Sequence, residues 1–191
     1  MNKLDKAIQT AAVAHQGQRR KGFGQPYLFH PLEVLSLVSL ISEDEDIQCA
    51  AVLHDTVEDT PLTIKDIREQ FGDKVADIVG DETEDKRGNV NKEATWKDRK
   101  QEAIDHLNAC TNIGVKIVTL ADKVSNLRSF HLLLLDRGEE AWNSFNMKDP
   151  LMHYWYYDSI KDALSELKDN PVYKEYEFLI ETIFRKYQKG E

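Results

Sequence analysis

A histidine and an aspartate stand side by side in this sequence as His54 and Asp55, and two further carboxylates follow at Glu58 and Asp59. A neutral imidazole beside a carboxylate offers one nitrogen and one oxygen ligand to a divalent ion. The spacing of four residues places Glu58 on the helical face of His54, and Asp59 on the face of Asp55. Carboxylates gathered this closely repel one another unless a cation lies between them. The segment therefore predicts metal-assisted chemistry at the end of a helix.

Two distant positions can complete a set of metal ligands around this segment. His30 comes directly before Pro31, where the pattern changes from loop to helix. Asp122 is a charged residue on an otherwise apolar helical face, and Asn126 follows it by four residues on the same face. We expect His30 and Asp122 to join the pair at 54 and 55. The other histidines, at 15, 106, 131 and 153, have no partner pattern and are interpreted as core or surface residues.

Composition narrows the classes of ligand and location. The 191 residues carry a formal net charge of -9, which argues against a nucleic-acid-binding protein because such proteins present a basic face. A small phosphorylated ligand needs only a local basic cluster, and residues 19–21 (Arg-Arg-Lys) provide one in a glycine-rich loop. No apolar run is long enough for a membrane span or a signal sequence. We therefore predict a cytoplasmic protein with a small-molecule ligand and with neither a nucleic-acid nor a membrane partner.

The elements that must hold these residues have helical periodicity. Apolar residues recur at intervals of three and four along most of the chain, and no alternating stretch is long enough for a credible strand. Residues 81–96 are polar and charged without a clear period, which predicts a mobile or ligand-facing loop. We predict one all-α domain over residues 1–191, a bundle of about eight to ten helices. The predicted helices cover approximately residues 4–15, 31–41, 46–59, 63–71, 75–79, 97–108, 115–135, 150–167 and 171–187.

Four stretches of the sequence are similar, in this order, to the hydrolase domain of the RelA/SpoT family, within the HD phosphohydrolase superfamily. The length of the chain resembles that of the stand-alone small alarmone hydrolases, which lack a synthetase or regulatory region. The resemblance implies an HD-domain helical bundle and covers about residues 10–130, whereas the last third of the chain matches loosely, through Tyr154. The similar stretches are 14–21 (AHQGQRRK), 26–31 (PYLFHP), 51–60 (AVLHDTVEDT) and 120–128 (LADKVSNLR).

The resemblance implies a role for each matching position. Two histidines and two aspartates would bind one manganese ion, and zinc or iron would also fit such ligands. An acidic pair would activate water, two basic residues would lie beside the nucleotide, and an asparagine and a tyrosine would contact its ribose or base. The metal ligands would be His30, His54, Asp55 and Asp122, the acidic pair Glu58 and Asp59, and the substrate contacts Arg20, Lys21, Asn126 and Tyr154.

The implied reaction is hydrolysis of ppGpp or pppGpp, the alarmones of the stringent response, at the 3′-diphosphate, giving GDP or GTP and pyrophosphate. Departures from the family's pattern at residues 22–25 and 81–86 leave other substrates open, among them NADPH and nucleoside di- or triphosphates. A nucleotide sensor without catalysis is a third hypothesis, which the intact acidic pair disfavours.

Four of the roles implied by the resemblance have plain structural alternatives. Residues 19–21 could be a solvated loop, and Glu58 with Asp59 a solvated helix end. Asn126 could be a capping or packing residue, and Tyr154, within an aromatic run, part of the core.

Overall fold

A computed structural model describes residues 2–83 and 93–188, and its regular structure there is helical, which confirms the predicted all-α class. These residues form ten α-helices and two short 3-10 segments, and they contain no β-strand. None of the helices within these two ranges is long and apolar enough to cross a membrane. The α-helices are α1 (Lys3–Ala14), α2 (Phe29–Val38), α3 (Glu45–Leu53), α4 (Thr56–Asp59), α5 (Ile64–Phe71), α6 (Asp73–Glu82), α7 (Trp96–Ala109), α8 (Ile113–Arg137), α9 (Pro150–Ala163) and α10 (Pro171–Gln188), and the 3-10 segments are Gly138–Ser144 and Ser165–Leu167.

The chain divides into two compact units. The first comprises Met1–Glu84 and Thr111–Asp122, and the second comprises Asp85–Cys110 and Lys123–Glu191. Helix α8 is therefore divided between the units directly after Asp122. All of the predicted metal ligands and the acidic pair belong to the first unit, whereas two of the predicted substrate contacts belong to the second. The single domain predicted over the whole chain stays a prediction.

Helix α3 lies at the centre of the first unit, where it packs against α1, α2 and α6. Its N-terminus is capped by Asp44, whose side chain accepts a hydrogen bond from the backbone N–H of Asp46 at 3.0 Å. Residues 49–53 at its other end are fully buried. Burial stabilises each large apolar side chain of this kind by roughly 1.5–3 kcal/mol. Five consecutive residues point to all sides of a helix, so this end of α3 is enclosed all round and holds the residue that follows it, His54, in place.

Helix α8 approaches α3 and α6 closely at Gly114, its second residue. A Cβ atom on Gly114 would lie 2.8 Å from Cδ1 of Ile78 in α6 and 3.4 Å from Cγ1 of Ile47 in α3. The first of these distances is shorter than real carbon contacts, so the approach depends on the missing side chain. It fixes the part of α8 that leads, about two turns later, to Asp122.

In the second unit, α9 packs against both α7 and α10. Its His153 is buried among aromatic rings, with centroids 5.3 Å from those of Trp96, Phe130 and Trp142. Nε2 of this histidine lies 2.8 Å from the carbonyl oxygen of Met147. Of the two interpretations left open for His153, core or surface, these contacts agree with the core.

One predicted boundary is wrong in a way that affects the chemistry. The helix predicted over 46–59 is two elements, because α3 ends at Leu53 and α4 begins at Thr56. Nδ1 of His54 lies 2.7 Å from the carbonyl oxygen of Ala51, and the hydroxyl of Thr56 donates to that of Leu53 at 2.6 Å. Since side chains bond these carbonyls, the backbone need not continue the helical pattern.

Other boundaries differ less. The predicted capping box before α5 is present, with Thr63 and Asp66 bonding each other's backbone N–H groups. The predicted loop over 81–96 is shortened because α6 and α7 extend into its ends, and its residues 84–92 lie outside the described residues. Pro31 is the third residue of α2 rather than the first, which is still within the first turn, where no helical partner for its nitrogen is needed.

Alanine substitutions at two helical glycines of the first unit should have opposite effects on the stability of the protein. Gly114→Ala should lower the free energy of unfolding by about 1–3 kcal/mol, because the added methyl group overpacks against Ile78. Gly80 in α6 is the matched control, since a Cβ there meets Cδ1 of Ile64 at an ordinary 3.5 Å. Gly80→Ala should raise the free energy of unfolding by up to about 1 kcal/mol, as alanine is the better helix former. Urea denaturation measures both changes, and a stabilised Gly114→Ala protein would contradict the close approach.

Candidate metal centre

His54 is positioned by the end of the buried helix α3. Its Nδ1 bonds the carbonyl oxygen of Ala51 at 2.7 Å, so Nδ1 carries the proton and a neutral ring has its lone pair on Nε2. The residue is 3% exposed, and no group in the described part of the chain makes a hydrogen bond with its buried Nε2. A buried polar atom left in this state is costly. A metal ion would satisfy it, and a second ring nitrogen bonded to a backbone carbonyl is typical of metal-binding histidines.

His30 reaches the same point from the first turn of α2. Its ring is buried and lies edge-on to the ring of His54, with centroids 5.2 Å apart. Nε2 of His30 is 3.0 Å from Oδ1 of Asp122, which α8 carries. The same Oδ1 lies 3.8 Å from Nε2 of His54. Three helices therefore contribute to one point: His30 comes from the first turn of α2, His54 directly follows α3, and Asp122 lies inside the long helix α8.

Asp55 adds a fourth group to this cluster. Its Oδ2 lies 3.0 Å from Nε2 of His54 and 3.5 Å from Nε2 of His30. The side chain is 18% exposed, so this carboxylate is the most open of the four groups. The hydroxyl of Tyr27 donates a hydrogen bond to the same Oδ2 at 2.6 Å.

The cluster has the chemistry and the spacing of a site for one ion. Ligand atoms of His30, His54 and Asp122, all buried, lie within 4.8 Å of one another. Atoms that bind one ion at about 2.1 Å and at right angles to each other are about 3.0 Å apart. The distances from imidazole nitrogens to carboxylate oxygens in this cluster begin at 3.0 Å. The residues therefore fit a divalent ion, and a mixed nitrogen and oxygen set suits manganese, iron or zinc.

The charges of the cluster shift its pKa values in opposite directions. Burial disfavours a charged His54, but the carboxylates of Asp55 and Asp122 outweigh it and raise the pKa of His54 to about 10. Burial lowers the pKa of His30 below its ordinary value, despite the hydrogen bond with Asp122. Burial would raise the pKa of Asp55, yet the neighbouring His54 holds that pKa well below its usual range. The carboxylates thus favour a cation at this point, and a bound divalent ion would take the place of the proton.

The acidic pair lies on the short helix α4, directly after the cluster. The N–H of Asp59 donates to the carbonyl oxygen of Asp55 at 3.0 Å, so these two residues keep the predicted helical spacing. The predicted face shared by Glu58 and His54 required one continuous helix, which the break removes. Nε2 of Gln18 donates to the carbonyl oxygen of Asp59 at 2.9 Å. This bond ties the end of α4 to the loop after α1, and the side chains of both acids are half-buried.

Two basic residues were predicted to bind the substrate, and one of them, Arg20, has described contacts with residues of and around the cluster. It lies in a tight turn, in which its N–H donates to the carbonyl oxygen of Gln25 at 2.8 Å. Its guanidinium carbon is 5.8 Å from the ring centroid of Tyr27. After burial, the positive charge of Arg20 is a further cause of the lowered pKa of His30. Lys21, by contrast, is exposed in the same turn.

The two other predicted substrate contacts belong to the second unit. Asn126 is half-buried on α8, one turn after Asp122. Tyr154 is half-buried on α9, and its ring centroid is 6.0 Å from that of Phe184 in α10. The contact with Phe184 agrees with the alternative of core packing for Tyr154. A role for either residue at a nucleotide stays a prediction.

Sequence reasoning assigned no role to three residues that surround the cluster. They are Tyr27, Gln18 and His15, the last interpreted as a core or surface residue. Nδ1 of His15 lies 2.8 Å from Oε1 of Gln18, and the ring of His15 is 4.9 Å from that of Tyr27. The one signal for them was their place inside the similar stretches at 14–21 and 26–31. Periodicity could not join them, because all three lie in the segment between α1 and α2.

The sequence that builds this site matches a family of known proteins. Residues 7–141 match the family model described as HD domain. The match contains all four members of the cluster and the acidic pair, and it includes residues of both compact units.

Several relatives carry a named activity. A guanosine-3′,5′-bis(diphosphate) 3′-pyrophosphohydrolase of Haemophilus influenzae is 32% identical over 82% of this chain, which spans 23% of that protein. The guanosine-3′,5′-bis(diphosphate) 3′-pyrophosphohydrolase MESH1 of Danio rerio is 37% identical over 67% of this chain and 69% of that protein. A solved structure described as a metazoan orthologue of SpoT that hydrolyses ppGpp has a TM-score of 0.72 at 26% identity, over 98% of this chain and 96% of the other. The chain thus spans less than a quarter of the bacterial relative.

Metal binding should stabilise the folded protein. Mn²⁺ at about 100 times its Kd should raise the free energy of unfolding by about 2.7 kcal/mol, because the ion binds the folded site and not the unfolded chain. In His54→Ala this rise should disappear with the lost nitrogen ligand. In the control His106→Ala, which changes an exposed histidine of α7, it should remain. Urea denaturation of metal-stripped proteins with and without Mn²⁺ measures the rise, and an equal rise in His54→Ala would mean that the ion binds elsewhere.

Proposed function

Because this chain belongs to the HD-domain family, we propose that it is a metal-dependent hydrolase of ppGpp and pppGpp. Water would cleave the bond between the 3′ oxygen and its diphosphate, releasing pyrophosphate and leaving GDP or GTP. The observation that carries the proposal is the buried group of His30, His54 and Asp122, with Asp55 beside it. The named activities of the relatives supply the guanosine substrate.

In this proposal, the four residues of the cluster bind one Mn²⁺. Their neutral nitrogens and negative oxygens suit that ion, and zinc or iron remain alternatives with the same ligands. When bound, such an ion lowers the pKa of a water molecule and polarises a phosphate oxygen. The hydrogen bond from His54 to Ala51 keeps Nε2 directed into the cluster.

Glu58 and Asp59 would accept the proton of the attacking water. A general base must lie within reach of the water and be held in place. The hydrogen bonds of the Asp59 backbone with Asp55 and Gln18 hold helix α4 next to the cluster. The negative charge of Asp59 is also among the causes, after burial and Asp55, of the raised pKa of Tyr27, which supports its closeness to the cluster.

Arg20 and Lys21 would bind the phosphates of the substrate. A guanidinium can bond two phosphate oxygens at once, whereas an ammonium acts as a point charge. The effect of the Arg20 charge on His30 supports a place beside a diphosphate bound at the cluster. Lys21 is exposed and free to move towards the more distant phosphates in this proposal. We also assign the ribose or base to Asn126 and Tyr154, on the strength of the sequence resemblance alone.

The remaining parts of the proposal concern the whole chain. Residues 1–191 would act as one domain, since the family match over 7–141 draws on both compact units. The protein would work in the cytoplasm, where nucleotides such as ppGpp are available to it. Its partner would be the nucleotide itself, without nucleic acid or membrane.

Hydrolysis of ppGpp by the metal-stripped protein, with and without added Mn²⁺, tests this function directly. We expect GDP and pyrophosphate in equal amounts, and only when Mn²⁺ is present. The same assay with NADPH and with GTP tests the alternative substrates. Faster turnover of either one would assign the site to that nucleotide, and binding of ppGpp without products at stoichiometric enzyme would make the protein a sensor.

The acidic pair should matter for turnover rather than for metal binding. Glu58→Gln with Asp59→Asn removes both proton acceptors, so kcat should fall by about 100-fold or more. Glu69→Gln, which changes an exposed acid of α5, is the matched control and should leave kcat unchanged. Mn²⁺ content measured on each protein separates lost chemistry from lost metal. A double variant that retains both its metal and the wild-type kcat would refute the proton role.

A further inference from the structure

Tyr27 joins the metal cluster to the loop between α1 and α2. Its hydroxyl donates to Oδ2 of Asp55 at 2.6 Å. The same oxygen faces both imidazoles, at 3.0 Å from Nε2 of His54 and 3.5 Å from Nε2 of His30. A carboxylate oxygen has two lone pairs. A hydrogen bond to one of them therefore leaves the other for an ion.

The ring of Tyr27 is held by groups from three parts of the first unit. The ring of His15, directly after α1, lies 4.9 Å from it between centroids, and the ring of His30 in α2 lies 5.9 Å from it in an edge-on arrangement. The guanidinium of Arg20 is 5.8 Å from its centroid. Its backbone N–H donates to a loop carbonyl at 3.0 Å. With ring and backbone both held, the hydroxyl has one position, and Asp55 must adopt the orientation that meets it.

The direction of this hydrogen bond is fixed by charge. An ionised carboxylate has no proton to give and can only accept, so the Tyr27 hydroxyl is the donor. The acceptor is an ionised carboxylate, and charge-assisted O–H···O⁻ bonds are short and strong, as the 2.6 Å separation is here.

We propose that Tyr27 is a positioning residue of the metal centre, whose hydroxyl selects Oδ2 of Asp55 as the metal-binding oxygen and directs it towards His30 and His54. The inference rests on the proposed function of this site and adds a residue to it. Tyr27 acts through Asp55 and touches neither ion nor substrate. Groups that bond a metal ligand in this way typically change metal affinity or activity by 10–100-fold when they are removed.

Tyr27→Phe tests the proposal, because phenylalanine keeps the ring between His15 and His30 and removes only the hydroxyl. We expect the Kd for Mn²⁺ to rise by about 10–100-fold, measured by electron paramagnetic resonance of free Mn²⁺ in titrations of the metal-stripped protein. Tyr176→Phe is the matched control. It removes a buried tyrosine hydroxyl that donates to a backbone carbonyl at 2.9 Å in the second unit, and its Kd should equal that of the wild type.

A second variant separates the role of the hydroxyl from that of the packing around the ring. His15→Ala leaves the hydroxyl in place and removes the ring that packs on Tyr27, so its Kd should lie between those of the wild type and Tyr27→Phe. Circular dichroism establishes that each metal-stripped protein is folded. Equal Kd values for wild type and folded Tyr27→Phe would overturn the inference and leave the proposed function intact. A wild-type protein that binds no Mn²⁺ would overturn both.

Discussion

A buried imidazole nitrogen between two carboxylates is the constraint on which the site depends. Nε2 of His54 has no hydrogen bond within the described residues, and carboxylate oxygens of Asp55 and Asp122 lie 3.0 and 3.8 Å from it. Charges removed from water in this way are costly unless they are neutralised. A cation is the common solution for all of these atoms. The same two carboxylates raise the pKa of His54, so they favour positive charge at this point.

Closely packed helices of the first unit hold these ligands in place. The fully buried end of α3 holds His54, and the approach of α8 at Gly114 sets the position of the helix that carries Asp122. Hydrogen bonds then orient the side chains, from His54 to Ala51 and from Tyr27 to Asp55. Packing thus determines where the ligands lie, and hydrogen bonds determine which of their atoms point inwards. Three of the four groups, His30, His54 and Asp122, already have ligand atoms within 4.8 Å of one another.

Much of the fold could be predicted from sequence because helical periodicity and capping are local properties. The capping box at 63–66 and the last helix, α10, both follow the sequence pattern closely. The break between α3 and α4 could not be predicted in this way. It depends on side chains of His54 and Thr56 bonding backbone carbonyls, and apolar spacing carries no information about such bonds.

The candidate site, too, was predictable only in part. Residue types and order predicted the meeting of His30, His54, Asp55 and Asp122, and the distances among them agree. The residues that orient these ligands could not be predicted. Tyr27, for example, bonds Asp55 from 28 positions away in the chain, and no local pattern links the two. The resemblance to alarmone hydrolases named the substrate, which the residues by themselves did not.

Anomalous X-ray diffraction from crystals grown with Mn²⁺ would locate the ion itself. We expect a single strong peak at the manganese absorption edge, within about 2.3 Å of Nε2 of both His30 and His54 and of a carboxylate oxygen of both Asp55 and Asp122. A peak elsewhere in the protein, or no peak at saturating Mn²⁺, would contradict binding at this cluster.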